Sequence, residues 1–391
     1  GYSEEALKKY ADMGVETRQT NFNNADGLSE AFKGADALAL ISMPFVGAKR
    51  QKAHKNAIDA AKAAGVSKST VSRVLNGESG VKEATREAVE KAIRELKYTP
   101  SYLAQGIRTG KTKTIAMVVP EYTNIFYNEL FRGVEDIALK YGYMVFVCNT
   151  ERSRRSEIEY TEEILKRNVD GIIYNTYSNS EEMLNYLRTL SQKLPVVYTN
   201  HLFQEDEPVS YVYTDGFESN REAVHYLYEK GRTTIGYIRN TTDISVIEDR
   251  YEGYQQGLRD CGIPFREEYV YQAKQSTEPD YIALGAEAAK YYEGLDETPK
   301  AVIAAIDALA IGCVQQFQKD GVCIPEQVNV IGFDNISLSS LIQPPLTTIS
   351  QPIRLIGQKA AEIIIAKLDG REIEDKVVFP GNLILRATTD L

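Results

Sequence analysis

The chain has 391 residues, with 45 Lys and Arg against 55 Asp and Glu and a formal charge of −10. At roughly 150 residues per domain, that length argues for two or three domains, and 43% hydrophobic with 26% charged residues excludes general disorder. No run of about 18 apolar residues could span a membrane, and no secretory pattern opens the chain. The four cysteines and three histidines are scattered, so neither a disulfide framework nor a metal site is expected. No metal, cofactor or catalytic set is therefore expected, and the expected compartment is the cytoplasm.

The first 55 residues read as a leader. An apolar strand, DALALIS, covers residues 36–42, and helical patterns cover 28–34 and 49–65. No G-x-G-x-x-G lies in this stretch, so it has no glycine-rich cradle for a dinucleotide phosphate.

Residues 49–113 then hold 15 Lys and Arg against 6 Asp and Glu, a local charge of +9 that leaves −19 on the rest of the chain. A compact basic block in an acidic protein suits a polyanion partner. Within it, Asn56 can cap a short helix that Gly65 ends. Ser67 can cap a second helix, Lys68–Leu75, on which Val71, Val74 and Leu75 share one face while Lys68, Ser69, Ser72 and Arg73 lie largely opposite. Two short helices around a glycine turn are a helix-turn-helix, and that polar face suits base edges in a major groove. A third helix is predicted over 82–96, its apolar positions Ala84 or Thr85, Ala88, Val89, Ala92, Ile93 and Leu96 recurring at helical spacing. Another short helix is predicted over 102–107.

AAGVSKSTVSRVLNG, followed by VKEATREAVEKAIRELKYTPSYLAQGIRTGKTKTIAMVVP, resembles the headpiece and hinge of LacI/GalR-family transcription repressors. The resemblance runs over about residues 56–391. It implies that Lys68, Ser69 and Arg73 read bases, and that Ser67, Thr70, Ser72 and Asn76 contact phosphates or position the helix. It also implies a hinge helix, carrying Ala104 and Ile107, that enters the minor groove of the operator centre with Ile107 as an apolar wedge. The family usually has Leu at that wedge, and Ile is branched at Cβ.

After residue 113, apolar strands alternate with helices. Strands are predicted at 114–120, 143–150, 169–175, 195–200, 235–240, 301–306 and 328–334. Helices are predicted at 126–142, 157–168, 182–190, 221–231, 250–261, 285–295, 308–321 and 353–368. This alternation means parallel sheets covered by helices on both faces, and the number of units calls for two lobes. Ligands bind beyond the carboxyl ends of such strands, which marks Asn124, Asn175, Asn200, Arg239, Asn240, Asp307 and Asp334.

This part resembles the periplasmic-binding-protein-like core of the same family. The fold class is then α/β, a helix-turn-helix headpiece on a two-lobed core. Its expected parts are the leader (1–55), the headpiece (56–100), the hinge (101–112), a first lobe (113–212 with 351–380) and a second lobe (213–350 with 381–391). The resemblance implies an effector cleft lined by Tyr122, Phe126, Tyr127, Asn175, Asn200 and His201. Arg250 would make a forked contact to the effector, and Asp334 would accept from its hydroxyls. Aromatic faces beside planar polar groups are sugar-recognition chemistry. Ile306 stands where the family often has Asn and cannot bond a hydroxyl; Tyr281 is a candidate aromatic lid. Implied partners are a pseudo-palindromic operator, a sugar or sugar derivative, and a second copy of the chain in a homodimer. The implied role is repression of a carbohydrate-utilisation operon, and a solute-binding protein is a rival reading.

The leader and the start of the headpiece, GVETRQTNFNNADGLSEAFKGADALALISMPFVGAKRQKAHKNAIDAAKAAGV, resemble an internal piece of NmrA-like NAD(P)H quinone oxidoreductases. The two resemblances overlap at AAKAAGV, which reads as a splice. Quinone reduction is the rival enzyme reading, and the missing phosphate cradle speaks against it. Removal of residues 1–54 should leave operator affinity unchanged or improved in a gel-shift titration. A weakened complex would make the leader part of the DNA-binding unit.

Overall fold

The computed structural model describes residues 67–75, 80–96 and 111–390, apart from 123, 152, 177, 179, 205, 240–244 and 273–279. The leader, the first headpiece helix and the hinge, with Asn76, Ala104 and Ile107, lie outside the described residues. The chain divides into two units, residues 1–100 and 101–391.

In the first unit, α1 (Lys68–Leu75) and α2 (Glu83–Glu95) are short helices. Ser67 begins α1: its Oγ accepts from the Thr70 amide at 3.2 Å and sits 3.0 Å from the Thr70 hydroxyl. This satisfies one of the amides that a helix start leaves without an internal partner. Val71, Val74 and Val89 form a small buried core, with Val81 and Ile93 packed against it. The apolar periodicity therefore placed Val71, Val74, Val89 and Ala92 correctly, whereas Ala88 and Leu96 are exposed.

The second unit contains two six-stranded sheets. The first lobe is built from β1 (Thr114–Val119), α3 (Ile125–Ala138), β2 (Met144–Asn149), α4 (Arg154–Lys166), β3 (Gly171–Tyr174), α5 (Glu181–Lys193), β4 (Val196–Tyr198) and β5 (Ser210–Asp215). The second follows with α6 (Gly216–Glu229), β6 (Ile235–Arg239), α7 (Ser245–Asp260), β7 (Val270–Gln272), α8 (Tyr281–Glu293), β8 (Ala301–Ala304), α9 (Asp307–Lys319), β9 (Asn329–Asp334) and β10 (Thr347–Ser350). The chain then returns to the first lobe with α10 (Ile353–Leu368) and β11 (Lys376–Pro380), and ends on the second with β12 (Asn382–Ile384). The strand orders are β11-β5-β4-β3-β1-β2 and β12-β10-β9-β8-β6-β7. Every pairing is parallel except β10 with β12.

Five strands escaped the sequence reading: β5, β7, β10, β11 and β12. β5 (SYVYTD) and β7 (VYQ) carry polar or aromatic residues rather than an apolar run, and β7 is only three residues long. β5 carries the first sheet to Asp215, beyond the lobe boundary expected after residue 212. Several helices begin earlier than their apolar periodicity suggested, because a cap precedes the first apolar turn. Asp215 accepts from the Glu218 amide at 2.9 Å and so starts α6 at Gly216 rather than at 221. Asp280 does the same for α8, accepting from Ala283 at 3.0 Å.

Helix pairs in both lobes approach closely at glycines. A Cβ on Gly133 of α3 would lie 2.0 Å from the Arg354 carbonyl of α10, and one on Gly357 would lie 2.3 Å from the Leu130 carbonyl. Only hydrogen fits in that seam. Gly133→Ala should therefore push α3 from α10 and destabilise the protein by at least about 1–3 kcal/mol, the usual range for overpacking, measured by urea unfolding. An unchanged midpoint would mean that the seam is looser than described.

Candidate functional site

A crevice opens between the lobes of the second unit, beyond the carboxyl ends of the strands, where doubly wound sheets place their ligands. Its first-lobe wall comprises Asn124, Phe126 and Tyr127 after β1, Asn175 after β3, Thr199 and Asn200 after β4, and Tyr213 and Thr214 on β5. Its second-lobe wall comprises Ile247 and Arg250 on α7, Ile306 after β8, and Asp334 at the end of β9; Gln351, on the crossing back, completes it.

The first-lobe wall is held by side chains bonded to one another. Asn124 caps α3 by accepting from the Phe126 amide at 3.0 Å, which fixes the turn carrying Phe126 and Tyr127. Their rings meet edge to face, 5.1 Å apart at 89°. The Tyr127 hydroxyl donates to Asn175 Oδ1 at 3.0 Å, and Asn175 Nδ2 donates to the Thr199 hydroxyl at 3.0 Å. Asn200 donates Nδ2 to the Thr176 carbonyl at 2.9 Å, while its buried Oδ1 and the buried Thr214 hydroxyl find no partner among the described residues.

The second-lobe wall centres on a buried cation. The Arg250 guanidinium lies 3.6 Å over the Phe333 ring, donates Nη1 to the Ala305 carbonyl at 2.6 Å and reaches Asp334 Oδ1 through Nη2 at 3.5 Å. Its Nε has no partner among the described residues. A Cβ on Gly216 would sit 2.9 Å from Arg250 Cγ, so the start of α6 must be glycine for the arginine stem to pass. Asp334 also accepts from Gln351 Nε2 at 2.6 Å. It holds φ at 109° and the next residue, Asn335, holds φ at 53°, conformations that cost non-glycine residues energy and persist where surrounding bonds impose them.

Burial, opposed by Arg250 and Gln351, pushes the Asp334 carboxyl up to about 6. Asp307 lies behind it and accepts from the Ile336 amide at 2.9 Å and from the Ser339 and Thr348 hydroxyls at 2.5 Å each. Burial first and the Asp334 charge second push Asp307 up to about 7. Asp307, marked by sequence as a site candidate, thus ties α9 to the segment after β9 and to β10.

Six of the eight expected cleft residues meet here: Phe126, Tyr127, Asn175, Asn200, Arg250 and Asp334. Tyr122 does not; it is 61% exposed. His201 sits outside the lining, where its Nδ1 lies 2.9 Å from Asp249 across the lobes and its ring stacks on Tyr213 at 5.1 Å. Tyr281 belongs to the second-lobe core rather than to a lid. Arg239 pairs with Glu248 and stacks over Tyr251. Thr199, Tyr213, Thr214, Ile247 and Gln351 were missed. The strand-end rule would have found Tyr213 and Thr214 had β5 been recognised. Gln351 carries no local signal, because only the tertiary crossing brings it to Asp334.

In the headpiece, Ser67 and Thr70 bond to each other at the start of α1, and Arg73 is exposed. Lys68, Ser69 and Ser72 fall on the same helix, with side chains outside the described set.

Residues 58–101 match the model for bacterial regulatory proteins of the lacI family, and residues 224–389 match a periplasmic binding protein-like domain. The HTH-type transcriptional regulator RegA of Clostridium saccharobutylicum is 32% identical over 333 residues, 85% of this chain and 98% of that protein. The chain belongs to the LacI family of transcriptional regulators. Catabolite control protein A of Priestia megaterium is 31% identical over 334 residues, covering 85% of this chain and 98% of that protein. Among solved structures, the transcriptional regulator CelR–cellobiose complex superposes with a TM-score of 0.62 at 27% identity, over 85% of this chain and 99% of that one. The lac repressor dimer bound to operator and the anti-inducer ONPF shares the fold, with a TM-score of 0.76 at 24% identity over 85% of this chain and 98% of that one.

This LacI-family chain is a ligand-responsive DNA-binding regulator and not an enzyme. The oxidoreductase resemblance of the leader falls on residues outside the described set. No described helix is long and apolar enough to cross a membrane.

Asp334 and Asp307 behind it both bind protons more readily folded than unfolded. Their contribution to stability is therefore full below the ordinary carboxylate value and is lost as pH rises through about 6 and about 7. The Asp334→Asn variant should show a flatter melting temperature between pH 4 and 7.5 than the wild type. Parallel curves would show that Asp334 titrates in the ordinary range.

Proposed function

We propose that this regulator binds a pseudo-palindromic operator as a homodimer in the cytoplasm, and that a sugar or sugar derivative in the crevice controls that binding. The observation that carries the effector reading is a set of buried polar atoms without a partner among the described residues, carried by three residues that line one crevice: Asn200 Oδ1, the Thr214 hydroxyl and Arg250 Nε. Buried polar groups are normally bonded. An acceptor, a hydroxyl and a cationic donor around one crevice suit a ligand that both donates and accepts, as sugar hydroxyls do. Phe126, Tyr127 and Tyr213 supply ring surface for the apolar faces of a pyranose. Arg250 and Asp334 supply the charged donor and acceptor, and Ile306 meets an apolar edge of the ligand. The cellobiose complex of a relative at 27% identity favours the same ligand class.

For DNA, Lys68, Ser69 and Arg73 read bases from α1, and Ser67, Thr70, Ser72 and Asn76 hold phosphates or place the helix. Ala104 and Ile107 enter the minor groove. Regulation of a carbohydrate-utilisation operon follows from the ligand class. The homodimer is supported by the edge strand β2, which ends the first sheet with Met144, Phe146 and Val147 exposed beside Leu139 and Tyr141. An unpaired apolar edge is normally covered, and a second copy of the chain supplies the cover.

A panel of mono- and disaccharides at millimolar concentration, read by thermal shift on the full chain, tests the effector. A sugar at 100 times its Kd stabilises by about 2.7 kcal/mol, which gives a shift of several degrees. Arg250→Ala should abolish that shift. A shift that persists would remove Arg250 from the site, and a panel without any shift would remove sugars.

A further inference from the structure

The two walls of the crevice leave little bonding capacity for a ligand. On the first-lobe wall Asn175 is bonded at both ends, accepting from Tyr127 and donating to Thr199 at 3.0 Å each. Asn124 uses its Oδ1 on the Phe126 amide at 3.0 Å. Asn200 Oδ1 and the Thr214 hydroxyl lack a partner among the described residues. On the second-lobe wall Arg250 Nε lacks one too. Both bonds to Asp334, from Gln351 and Arg250, fall on Oδ1, so Oδ2 is the oxygen left to accept from a ligand.

The rest of the second-lobe wall is apolar. Ile247 and Ile306 line the crevice and are 4% and 7% exposed. Both also belong to the second-lobe core, whose close packing holds them in place. Ile306 stands immediately before α9, at the position where Ser, Thr, Asp or Asn normally bonds a free amide of the first turn. Isoleucine offers no such bond, and α9 starts without a side-chain cap. Local rules are broken where function demands it, and this one is broken at a residue that lines the crevice. The charge of the lining is equally restrictive. Among the described residues that line it, Arg250 is the single cation and Asp334 the single carboxylate. Arg250 is already matched by Asp334 and by the Ala305 carbonyl at 2.6 Å. A phosphate or carboxylate on the ligand would have to sit beside Asp334.

We infer that the effector is a neutral deoxy sugar, with a methylene or methyl group against Ile247 and Ile306 where a common hexose carries a hydroxyl. A hydroxyl pressed on that surface loses water and gains no partner, which is unfavourable; a C–H group loses nothing there. The remaining hydroxyls meet Asn200 Oδ1, the Thr214 hydroxyl, Arg250 Nε and Asp334 Oδ2. Ile306 is then a specificity-determining residue. An apolar surface rejects an added hydroxyl by about a hundredfold at most, so the preference is a matter of tens. This inference rests on the sugar reading of the crevice and narrows it.

Binding to the full chain is measured by calorimetry for deoxy sugars paired with their parents: D-fucose with D-galactose, L-rhamnose with L-mannose, and 2-deoxy-D-glucose with D-glucose. Glucose 6-phosphate is the charged control. In the wild type at least one deoxy sugar should bind about 10- to 100-fold tighter than its parent, and the phosphate should not bind. Ile306→Asn, whose side chain can both cap α9 and bond a hydroxyl, should tighten the parent and bring that ratio below about threefold. Ile306→Thr gives the same test should the asparagine variant melt early, and Ile306→Val, which keeps the wall apolar, should hold the ratio. Parents that bind the wild type as tightly as their deoxy partners would overturn the deoxy assignment while the sugar reading stands. So would a ratio unchanged in the polar variants. Binding of the phosphate would overturn the neutral one. No binding by any member of the pairs would remove the sugar reading itself, and this inference with it.

Discussion

Among the described residues the chain passes between its two sheets three times: from β5 into α6 at Gly216, from β10 into α10 at Gln351 and Pro352, and from β11 into β12 at Gly381. These crossings are the constraint on which the rest depends. Each sheet is made of strands distant in sequence, so neither lobe closes without the other's chain running through it. The passages lie beyond the strand ends, where a parallel sheet cannot cover itself. The crevice is the space left between them, and its polar lining follows from that position.

What the crossings bring together is electrostatically costly. Arg250 and Asp334 are both nearly inaccessible to water, and burying a charged pair gains little unless the remaining bonding positions are filled. Several are filled, by the Ala305 carbonyl, the Gln351 amide and the Phe333 ring face. Arg250 Nε is not. The strained backbone at Asp334 and Asn335 belongs to the same economy: the carboxylate is aimed into the crevice at a conformational cost, and the Asp307 knot behind it holds the turn. The headpiece has only a small valine core, and it carries its polar positions on a helix begun by Ser67.

Much of this was legible in the sequence, because the relevant signals are local. Helical spacing predicts α1 and α2 and identifies Val71, Val74 and Val89 as inward-facing. Apolar runs ahead of helices predict β1, β3, β4, β6, β8 and β9, and the residues just after them include Asn124, Asn175, Asn200 and Asp334, all in the crevice. Arg250 came from family resemblance, since a helical arginine is otherwise read as a surface cation. Among the strands that failed to register, β5 and β10 mix polar with apolar side chains, and β7 and β12 are only three residues long. β5 sets Tyr211, Val212 and Tyr213 among Ser210, Thr214 and Asp215, and its end lines the crevice while its middle joins the core.

The sequence alone determined the kind of molecule: a basic reading module joined to an acidic, alternating α/β core, because composition and periodicity are properties of neighbouring residues. It could not decide which polar groups would be satisfied. Asn175 and Asn200 follow neighbouring strands, yet Asn175 is engaged by Tyr127 and Thr199 while the buried Asn200 Oδ1 has no partner among the described residues. Nor could it show that Gln351 reaches Asp334, or that His201 faces Asp249 rather than the crevice. Those outcomes depend on contacts between segments far apart in the chain, and hydrogen-bond partnership is a matter of a few tenths of an ångström that only the packed lobes define.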